Sequence, residues 1–251
     1  MHLTRAAHVA IAAIFFLMGI LASAYGPLLE HLSRSFEVSL AVAGGVLTAH
    51  YFGAVIGVLV GMRALRSLSS RTFVLAALAC LGLGCAGVAL APSWTVLLAG
   101  VLVLGVGYGA LDIGCNQLVA HSESTRRTAV LNALNGAFGL GAVAGPILVS
   151  TVGRSHLGLF YGGAAALAVV VMPLVAQMSG RLPFIAGRST SRSIGLLAIF
   201  MVAFALYVGL EAGTGGWMTS HLESIGQQPL AAATVHPASG WHSPPEGFSP
   251  P

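Results

Sequence analysis

Charge is the scarcest property of this 251-residue sequence: only 7% of its residues are charged, and lysine is absent. A soluble domain of average composition carries about 25% charged residues, so this chain has too little charge to cover a water-facing surface. Apolar residues make up 56% of it, and its mean hydropathy is +0.89. The composition argues against a water-soluble enzyme, a disordered protein and, despite a pI near 9.3, a nucleic-acid-binding protein.

Motifs of enzyme and metal chemistry are also missing. The three cysteines lie in long apolar stretches, without the Cys/His spacing of a metal site. No phosphate-binding loop or nucleophile elbow occurs. The sequence therefore predicts no enzyme activity, no bound metal and no cofactor, and we interpret the cysteines as small packing residues.

Long apolar runs fill most of the chain, and each approaches the roughly 20 residues that a membrane-spanning helix needs. They lack the period-two alternation of a transmembrane β-strand. The seven runs are Ala7–Leu29, Leu40–Met62, Thr72–Ala91, Trp94–Val119, Ala129–Val152, Leu157–Met178 and Ser193–Leu222. The sequence predicts an all-α, polytopic membrane protein with the lipid bilayer around it.

The eleven basic residues, all arginine, indicate how the spans are oriented. With the N-terminus in the cytoplasm, nine arginines fall in cytoplasmic segments and only Arg34 and Arg154 fall outside. This is the positive-inside pattern, and it predicts a multi-pass protein of the cell (inner or plasma) membrane. Arg5 and the first run, ending near Ala22-Ser23-Ala24, also resemble a cleavable signal peptide. The length of that run and the six spans after it favour a membrane span.

The spans are grouped as three, three and one, which is typical of an inverted 3+3 repeat followed by the start of a second bundle. Residues 1–178 are predicted to form a six-helix bundle, residues 179–192 a cytoplasmic linker and residues 193–226 a seventh helix. Prolines crowd residues 227–251, as in an unstructured segment. One hypothesis is that the reading frame was lost near Trp241.

Three motifs within the spans resemble those of a known family. They are Leu111-Asp112-Ile-Gly114-Cys-Asn116, Leu131-Asn132-Ala-Leu134-Asn135 with Phe138-Gly139-Leu-Gly141-Ala, and Tyr207-Val-Gly209-Leu-Glu211-Ala-Gly-Thr-Gly215-Gly216-Trp217. Together they resemble helices 4, 5 and 7 of the fucose/glucose-type sugar:proton symporters, a branch of the major facilitator superfamily. Asn135 stands where a histidine is common in that branch.

The segment between spans 2 and 3 resembles the superfamily's loop motif Gly-x-x-x-Asp-Arg-x-Gly-Arg-Arg. Gly61 and Arg66 match it, whereas Leu65 stands in the place of the acid and Leu68 in the place of the second glycine. We interpret Arg66 and Arg71 as topology determinants, with a gating role as the alternative.

The resemblance implies the N-terminal six-helix bundle of a transporter plus the first helix of its second bundle, which is seven of twelve helices. It implies secondary transport of a small solute, most specifically a sugar carried with a proton, by alternating access. The second half of the transporter would be missing from this chain, and no nucleic acid is expected as a partner.

Four polar residues are predicted to line the solute cavity at one depth in the membrane. Asn116 lies one helical turn after Asp112, and Asn132 and Asn135 share a face of span 5. Carboxylate and amide groups supply both acceptors and donors for a hydroxyl-rich ligand. The alternative is that these residues only form hydrogen bonds between helices.

Asp112 and Glu211 are the acids buried in spans, and no basic residue lies within the spans to pair with them. A carboxyl group that holds a proton in one state and releases it in another can couple proton flow to transport. Both are therefore predicted to be proton-coupling residues, with helix–helix hydrogen bonding as the alternative. His50 in span 2 is a further relay residue or a packing residue. Trp217 is predicted either to stack on a sugar or to anchor span 7 at the membrane interface.

Glycines recur every fourth residue on spans 2, 4 and 5, and this spacing predicts close helix packing. Other functions remain as alternatives to a sugar symporter. The same scaffold exports drugs or other solutes, and an incomplete chain can be a non-functional fragment. A seven-span receptor is a further alternative, which the arginine distribution and the short tail oppose.

Overall fold

The computed structural model describes residues 4–121, 127–153 and 156–178, together with nine single positions between 199 and 217. Within these residues, every regular element is a helix. The helices are α1 (Arg5–Ser23), α2 (Tyr25–Ser35), α3 (Leu40–Ala43), α4 (Gly45–Ser67), α5 (Ser70–Ala89), α6 (Trp94–Ala120), α7 (Arg127–Leu148), a π-helical turn (Val149–Gly153) and α8 (Leu157–Val175).

Six helical segments are long and apolar enough to cross a membrane, within the part of the chain that the structure describes. They are Arg5–Ser23, Leu40–Ser67, Ser70–Ala89, Trp94–Ala120, Arg127–Val152 and Leu157–Val175. These segments coincide with the first six predicted spans, so the predicted all-α, multi-pass fold is confirmed. The linker at residues 179–192 and the tail at 227–251 lie outside the described residues. The nine described positions of the seventh span are all helical.

The first two spans are interrupted where the sequence weakens a helix. Pro27 has no N–H to donate to the carbonyl of Ser23, and α1 ends at Ser23, two residues before α2 begins. Gly44 separates α3 from α4. Both interruptions keep right-handed helical dihedral angles, so each predicted run remains one span.

Short polar caps fix where several spans begin. The hydroxyl of Thr4 accepts a hydrogen bond from the backbone N–H of Ala7 at 3.2 Å, and that of Ser69 accepts one from Thr72 at 3.1 Å. Such a bond satisfies an N–H that has no partner inside the helix. Because α4 continues to Ser67, only Leu68 and Ser69 separate it from α5.

Each span packs mainly on spans of the other triplet. The most extensive contacts join α4 to α6, α5 to α6, α1 to α7 and α5 to α8. A buried apolar core runs through these contacts. The two halves of the predicted 3+3 arrangement are therefore interleaved in one bundle.

Glycines allow the closest of these helices to touch through their backbones. A Cβ atom at Gly57 would collide with the carbonyl oxygen of Val106 on α6, and one at Gly109 with that of Ala54 on α4. A Cβ atom at Gly141 would meet the carbonyl oxygen of Phe16 on α1. The predicted packing role of the glycine stripes is confirmed.

Two spans bury less of their surface than the others do. Only 28% of the most apolar stretch of Leu40–Ser67 and 22% of that of Arg127–Val152 is buried, against 33–56% for the other four. Large apolar side chains such as Phe52 and Leu140 are exposed on them. Among the six described spans, spans 2 and 5 therefore leave the largest share of their apolar stretch uncovered.

Candidate functional site

A buried histidine lies at the centre of the bundle. His50 on α4 is completely buried and is surrounded by three tyrosine rings. The ring centroids of Tyr25, Tyr51 and Tyr108 lie 5.2, 5.2 and 4.8 Å from that of His50, all in edge-to-face geometry. Because these rings come from three helices, the imidazole is held in a fixed position.

One nitrogen of this imidazole has a hydrogen-bond partner and the other has none. Nδ1 of His50 lies 2.9 Å from the hydroxyl oxygen of Tyr25. Nε2 is buried and has no partner among the described residues. Leaving a buried polar group unsatisfied costs about 1–3 kcal/mol, so this nitrogen is an unusual feature of the apolar core.

A further buried tyrosine belongs to a fourth helix. Tyr25 and Tyr161 of α8 are both about 1% exposed. Tyr161 lies one turn after the beginning of α8. The hydrogen bond between Tyr25 and His50 links the first two spans, and each of its members can both donate and accept.

Asp112 and Asn116 form a polar pair on α6. The side-chain Nδ2 of Asn116 donates to Oδ1 of Asp112 at 3.0 Å and also to its backbone carbonyl oxygen at 3.0 Å. Both side chains are half-buried. Among the residues that the structure describes, no arginine pairs with Asp112. Tyr108, one turn earlier on α6, contacts His50.

The two asparagines of span 5 lie on the bundle surface. Asn132 and Asn135 are exposed on α7, whose buried face packs on α1. No hydrogen bond within the described parts of the chain joins them to Asp112 or Asn116. Their meeting at one cavity stays a prediction.

Trp217 lies beside the break between α3 and α4. A Cβ atom at Gly44 would be 2.7 Å from Cζ2 of this indole, which is 39% exposed. The absence of a side chain at Gly44 therefore makes room for the ring. Glu211, the second predicted proton-coupling acid, lies outside the described residues.

The predicted loop residues are mostly helical. Gly61 and Arg66 belong to the last turns of α4, and Arg71 to the first turn of α5. Leu65, in the place of the superfamily's acid, packs in the apolar core with 9% exposure. An apolar side chain that packs in the core therefore stands where the superfamily's motif has a charged side chain.

Sequence reasoning missed the tyrosines of this site. Tyr25, Tyr108 and Tyr161 were absent from the predicted set, although each is a hydroxyl-bearing residue within an apolar span. A hydroxyl group in such a span needs a hydrogen-bond partner. This requirement could have indicated that the tyrosines take part in polar contacts.

Comparisons with known proteins agree with this architecture. A crystal structure of the peptide transporter POT, a mutant in complex with sulfate, resembles the chain with a TM-score of 0.59 and 16% sequence identity. The resemblance covers 90% of this chain and 48% of that one, so the chain spans about half the length of the transporter. A comparison with curated proteins gives no match.

The family comparison covers most of the bundle. Residues 11–158 match the family model of the Major Facilitator Superfamily, which is more than half of the chain. The matched region begins in α1 and ends at the start of α8, and it contains His50 and the Asp112–Asn116 pair. The chain is a multi-pass membrane protein that belongs to the Major Facilitator Superfamily.

Proposed function

We propose that this chain is part of a secondary active transporter that moves a small solute by alternating access, and that the solute is a sugar carried with a proton. The observation that carries the proposal is the half-buried Asp112–Asn116 pair, held at 3.0 Å within an apolar helix. An ionisable residue at such a position usually faces a solute or ion pathway. The family membership supports transport, and the motif around Asp112 supports the sugar symporter branch.

The proposal gives the polar residues separate roles. Asn116, Asn132, Asn135 and Trp217 would contact the solute, because amides bind hydroxyl groups and an indole ring stacks on a sugar. Asp112, Glu211 and His50 would carry the proton. The remaining wall of the cavity would come from a second six-helix bundle, of which this chain contains only one predicted helix.

Another solute is the main alternative. The transporter of similar structure is named for peptides, and a likeness at 16% identity is informative about the fold alone. Export of drugs or other solutes uses the same scaffold. The solute class is therefore tested directly, by offering sugars and dipeptides to the same preparation.

The experiment uses the chain completed by a second six-helix bundle, in liposomes that contain a pH-sensitive dye. Addition of fucose, glucose or a dipeptide, one at a time, is expected to cause proton uptake only with a sugar. Asp112→Asn keeps the size and the hydrogen bond to Asn116 but removes the group that can bind and release a proton, so it is expected to abolish proton uptake. Glu30→Gln, which alters an acid that is ion-paired with Arg34 at 2.7 Å near the surface, is the matched control and should leave uptake unchanged.

Two results would contradict the proposal. If a dipeptide causes proton uptake and no sugar does, the solute is a peptide and the proposed sugar specificity is wrong. If sugar-driven proton uptake persists in both Asp112→Asn and Glu211→Gln, the two carboxyl groups are not the proton-coupling residues. Sugar binding, measured by tryptophan fluorescence, checks that each variant still recognises its ligand.

A further inference from the structure

A groove with a volume of about 740 Å³ lies between α5 and α8. None of the residues that line it belongs to the cluster around His50 or to the Asp112–Asn116 pair. Ser69, Arg71 and Thr72 line the groove where α5 begins. The groove is therefore polar and charged at the end of the bundle where the membrane surface is expected.

Apolar residues line the groove further along α5. Leu75, Ala76 and Ala79 continue the lining on this helix, and Met172 supplies it from the last turn of α8. From Arg71 to Ala79 the groove extends roughly 12 Å along the helix axis, which is less than half of a hydrocarbon core of about 30 Å. A ligand that fills it has a polar end near the membrane surface and an apolar part below.

The groove is closed inside the membrane and open at its side. Where it ends, α5 and α8 come together, because a Cβ atom at Gly82 would lie 3.4 Å from that of Ala168. Thr72 and Ala76 are exposed and share one face of α5 with Leu83, which is 70% exposed. This face is turned away from the described bundle, so the groove is reached from the surrounding bilayer.

Arg71 gives the groove a positive charge that the described residues do not neutralise. Its side chain is exposed and takes part in no ion pair or hydrogen bond within the described parts of the chain. Glu30 and Glu37 follow the first span at the opposite end of the bundle, and Asp112 is half-buried within α6. The guanidinium group is therefore available to an anion from outside the described bundle.

Two hydroxyl groups beside Arg71 offer a further donor. The backbone N–H of Thr72 donates to the hydroxyl oxygen of Ser69 at 3.1 Å, and the two hydroxyl oxygens lie 2.8 Å apart. A hydrogen bond between two hydroxyl groups uses one of their two hydrogens, so the other hydrogen is left to donate. A guanidinium group and a hydroxyl donor together match the oxygens of a phosphate, which arginine binds bidentately.

We propose that this groove binds an anionic phospholipid, with its phosphate at Arg71 and one acyl chain along Leu75, Ala79 and Met172. Basic pockets between membrane helices bind anionic headgroups on the cytoplasmic side, and the arginine distribution predicts that α5 begins on that side. A soluble phosphate compound would occupy the polar end and leave the apolar part empty, so the apolar lining selects a lipid. The binding does not depend on which solute the protein moves.

The test measures how tightly the full chain binds phosphatidylglycerol. The protein in detergent is titrated with phosphatidylglycerol, or with phosphatidylcholine of the same acyl chains, and native mass spectrometry gives the dissociation constant of the first bound lipid. Phosphatidylglycerol is expected to bind about fivefold or more tightly than phosphatidylcholine, as an arginine near an anionic headgroup predicts. Equal affinities for the two lipids overturn the proposal.

Arg71→Gln removes the charge from the groove without breaking a contact within the described residues. It is expected to abolish the preference for phosphatidylglycerol. Arg63→Gln is the matched control, because Arg63 is an exposed arginine near the end of α4 that does not line the groove. It should leave the preference intact. If both variants lose the preference equally, the lipid is attracted to the basic end of the bundle in general, and the groove is not the site.

A second variant tests the apolar part of the groove. Ala76→Phe places a ring in the groove from an exposed position, so it is expected to weaken the binding of phosphatidylglycerol by displacing the acyl chain. Val169→Phe enlarges a side chain of α8 that is 60% exposed and outside the lining, and it should leave the affinity unchanged. Affinities that are equal in the two variants overturn the placement of the acyl chain.

A soluble competitor distinguishes a lipid from a free phosphate compound. Glycerol 3-phosphate carries the phosphate without acyl chains, and it is expected to leave phosphatidylglycerol bound. Displacement of the lipid by glycerol 3-phosphate in the wild-type chain, with no displacement in Arg71→Gln, would make the groove a site for a soluble phosphate compound and refute the proposal.

Discussion

The hydroxyl oxygen of Tyr25 lies 2.9 Å from Nδ1 of His50 in the buried core of the bundle. The two residues come from the first and second spans, and together they close a polar contact in surroundings that are otherwise apolar. Because water does not replace a lost partner at this depth, the contact should contribute to stability in a way that depends on both residues being present.

A double-mutant cycle measures this dependence. Tyr25→Phe leaves His50 without its remaining partner and is expected to lower the free energy of unfolding by about 1–3 kcal/mol. The double variant Tyr25→Phe, His50→Phe removes both polar groups and should recover most of that loss. Thermal unfolding in detergent, followed by circular dichroism, gives the values. If the loss of stability in the double variant equals the sum of the losses in the two single variants, the hydrogen bond contributes nothing to stability.

The close approach of α4 and α6 predicts that a single methyl group is costly. Gly57→Ala places a Cβ atom against the carbonyl oxygen of Val106, and overpacking of this kind costs about 1–3 kcal/mol. At Gly139 on α7 a Cβ atom has no neighbour within 4 Å. Gly139→Ala is therefore the matched control, and it is expected to be neutral or to raise stability by up to about 1 kcal/mol through helix propensity. Equal melting temperatures for the two variants would contradict the packing interpretation.

The contact of Trp217 with Gly44 predicts that the seventh helix lies beside the break between α3 and α4. In a background in which Cys80, Cys85 and Cys115 are replaced by serine, Gly44→Cys and Trp217→Cys are expected to be joined by a short thiol-specific cross-linker. The cross-linker has to be about as long as the gap between the two backbones that the indole ring fills.

Leu210 provides the control for this experiment. It lies on the same helix, seven residues away and 73% exposed, which is roughly 10 Å along the axis. The pair Gly44→Cys and Leu210→Cys should therefore cross-link poorly. Comparable yields from the two pairs, measured by mass spectrometry after digestion, would mean that the contact does not hold in the membrane.

The arginine distribution predicts the orientation of the bundle. Ser67, at the end of α4, should lie on the cytoplasmic side, and Ser93, before α6, on the outer side. In the same cysteine-free background, Ser93→Cys is expected to react with a membrane-impermeant maleimide on intact cells. Ser67→Cys should react only after the membrane is opened, and the reverse pattern would invert the topology.

The helices were predictable because they are encoded locally. A run of about 20 apolar residues has few alternatives to a membrane helix, and the polar segments between the runs mark their ends. The glycine spacing on spans 2, 4 and 5 likewise predicted close packing, since residues four apart share one helix face. The ends of α4 were less predictable, because Arg63 and Arg66 are compatible with both a loop and a last helical turn.

The polar network was not predictable in the same way. Tyr25, His50 and Tyr108 lie on three helices, and no spacing in the sequence indicates that they meet. Their contact depends on which helices pack together and at what rotation, which is a property of the whole bundle. Whether Asn132 and Asp112 face one cavity depends on the same property, because a shared predicted membrane depth does not by itself place two residues on facing surfaces.

The glycine contacts have a mechanical consequence for the bundle. Where α4 meets α6, and where α1 meets α7, backbone lies directly on backbone, so no side chains at these points can rearrange to let one helix slide past the other. We expect each of these helix pairs to move as one body if the bundle changes shape. The Tyr25–His50 hydrogen bond joins the segment that follows α1 to α4, so it links the two pairs. A change in the angle between the pairs would alter the length of this bond, whereas the backbone contacts within each pair would be kept.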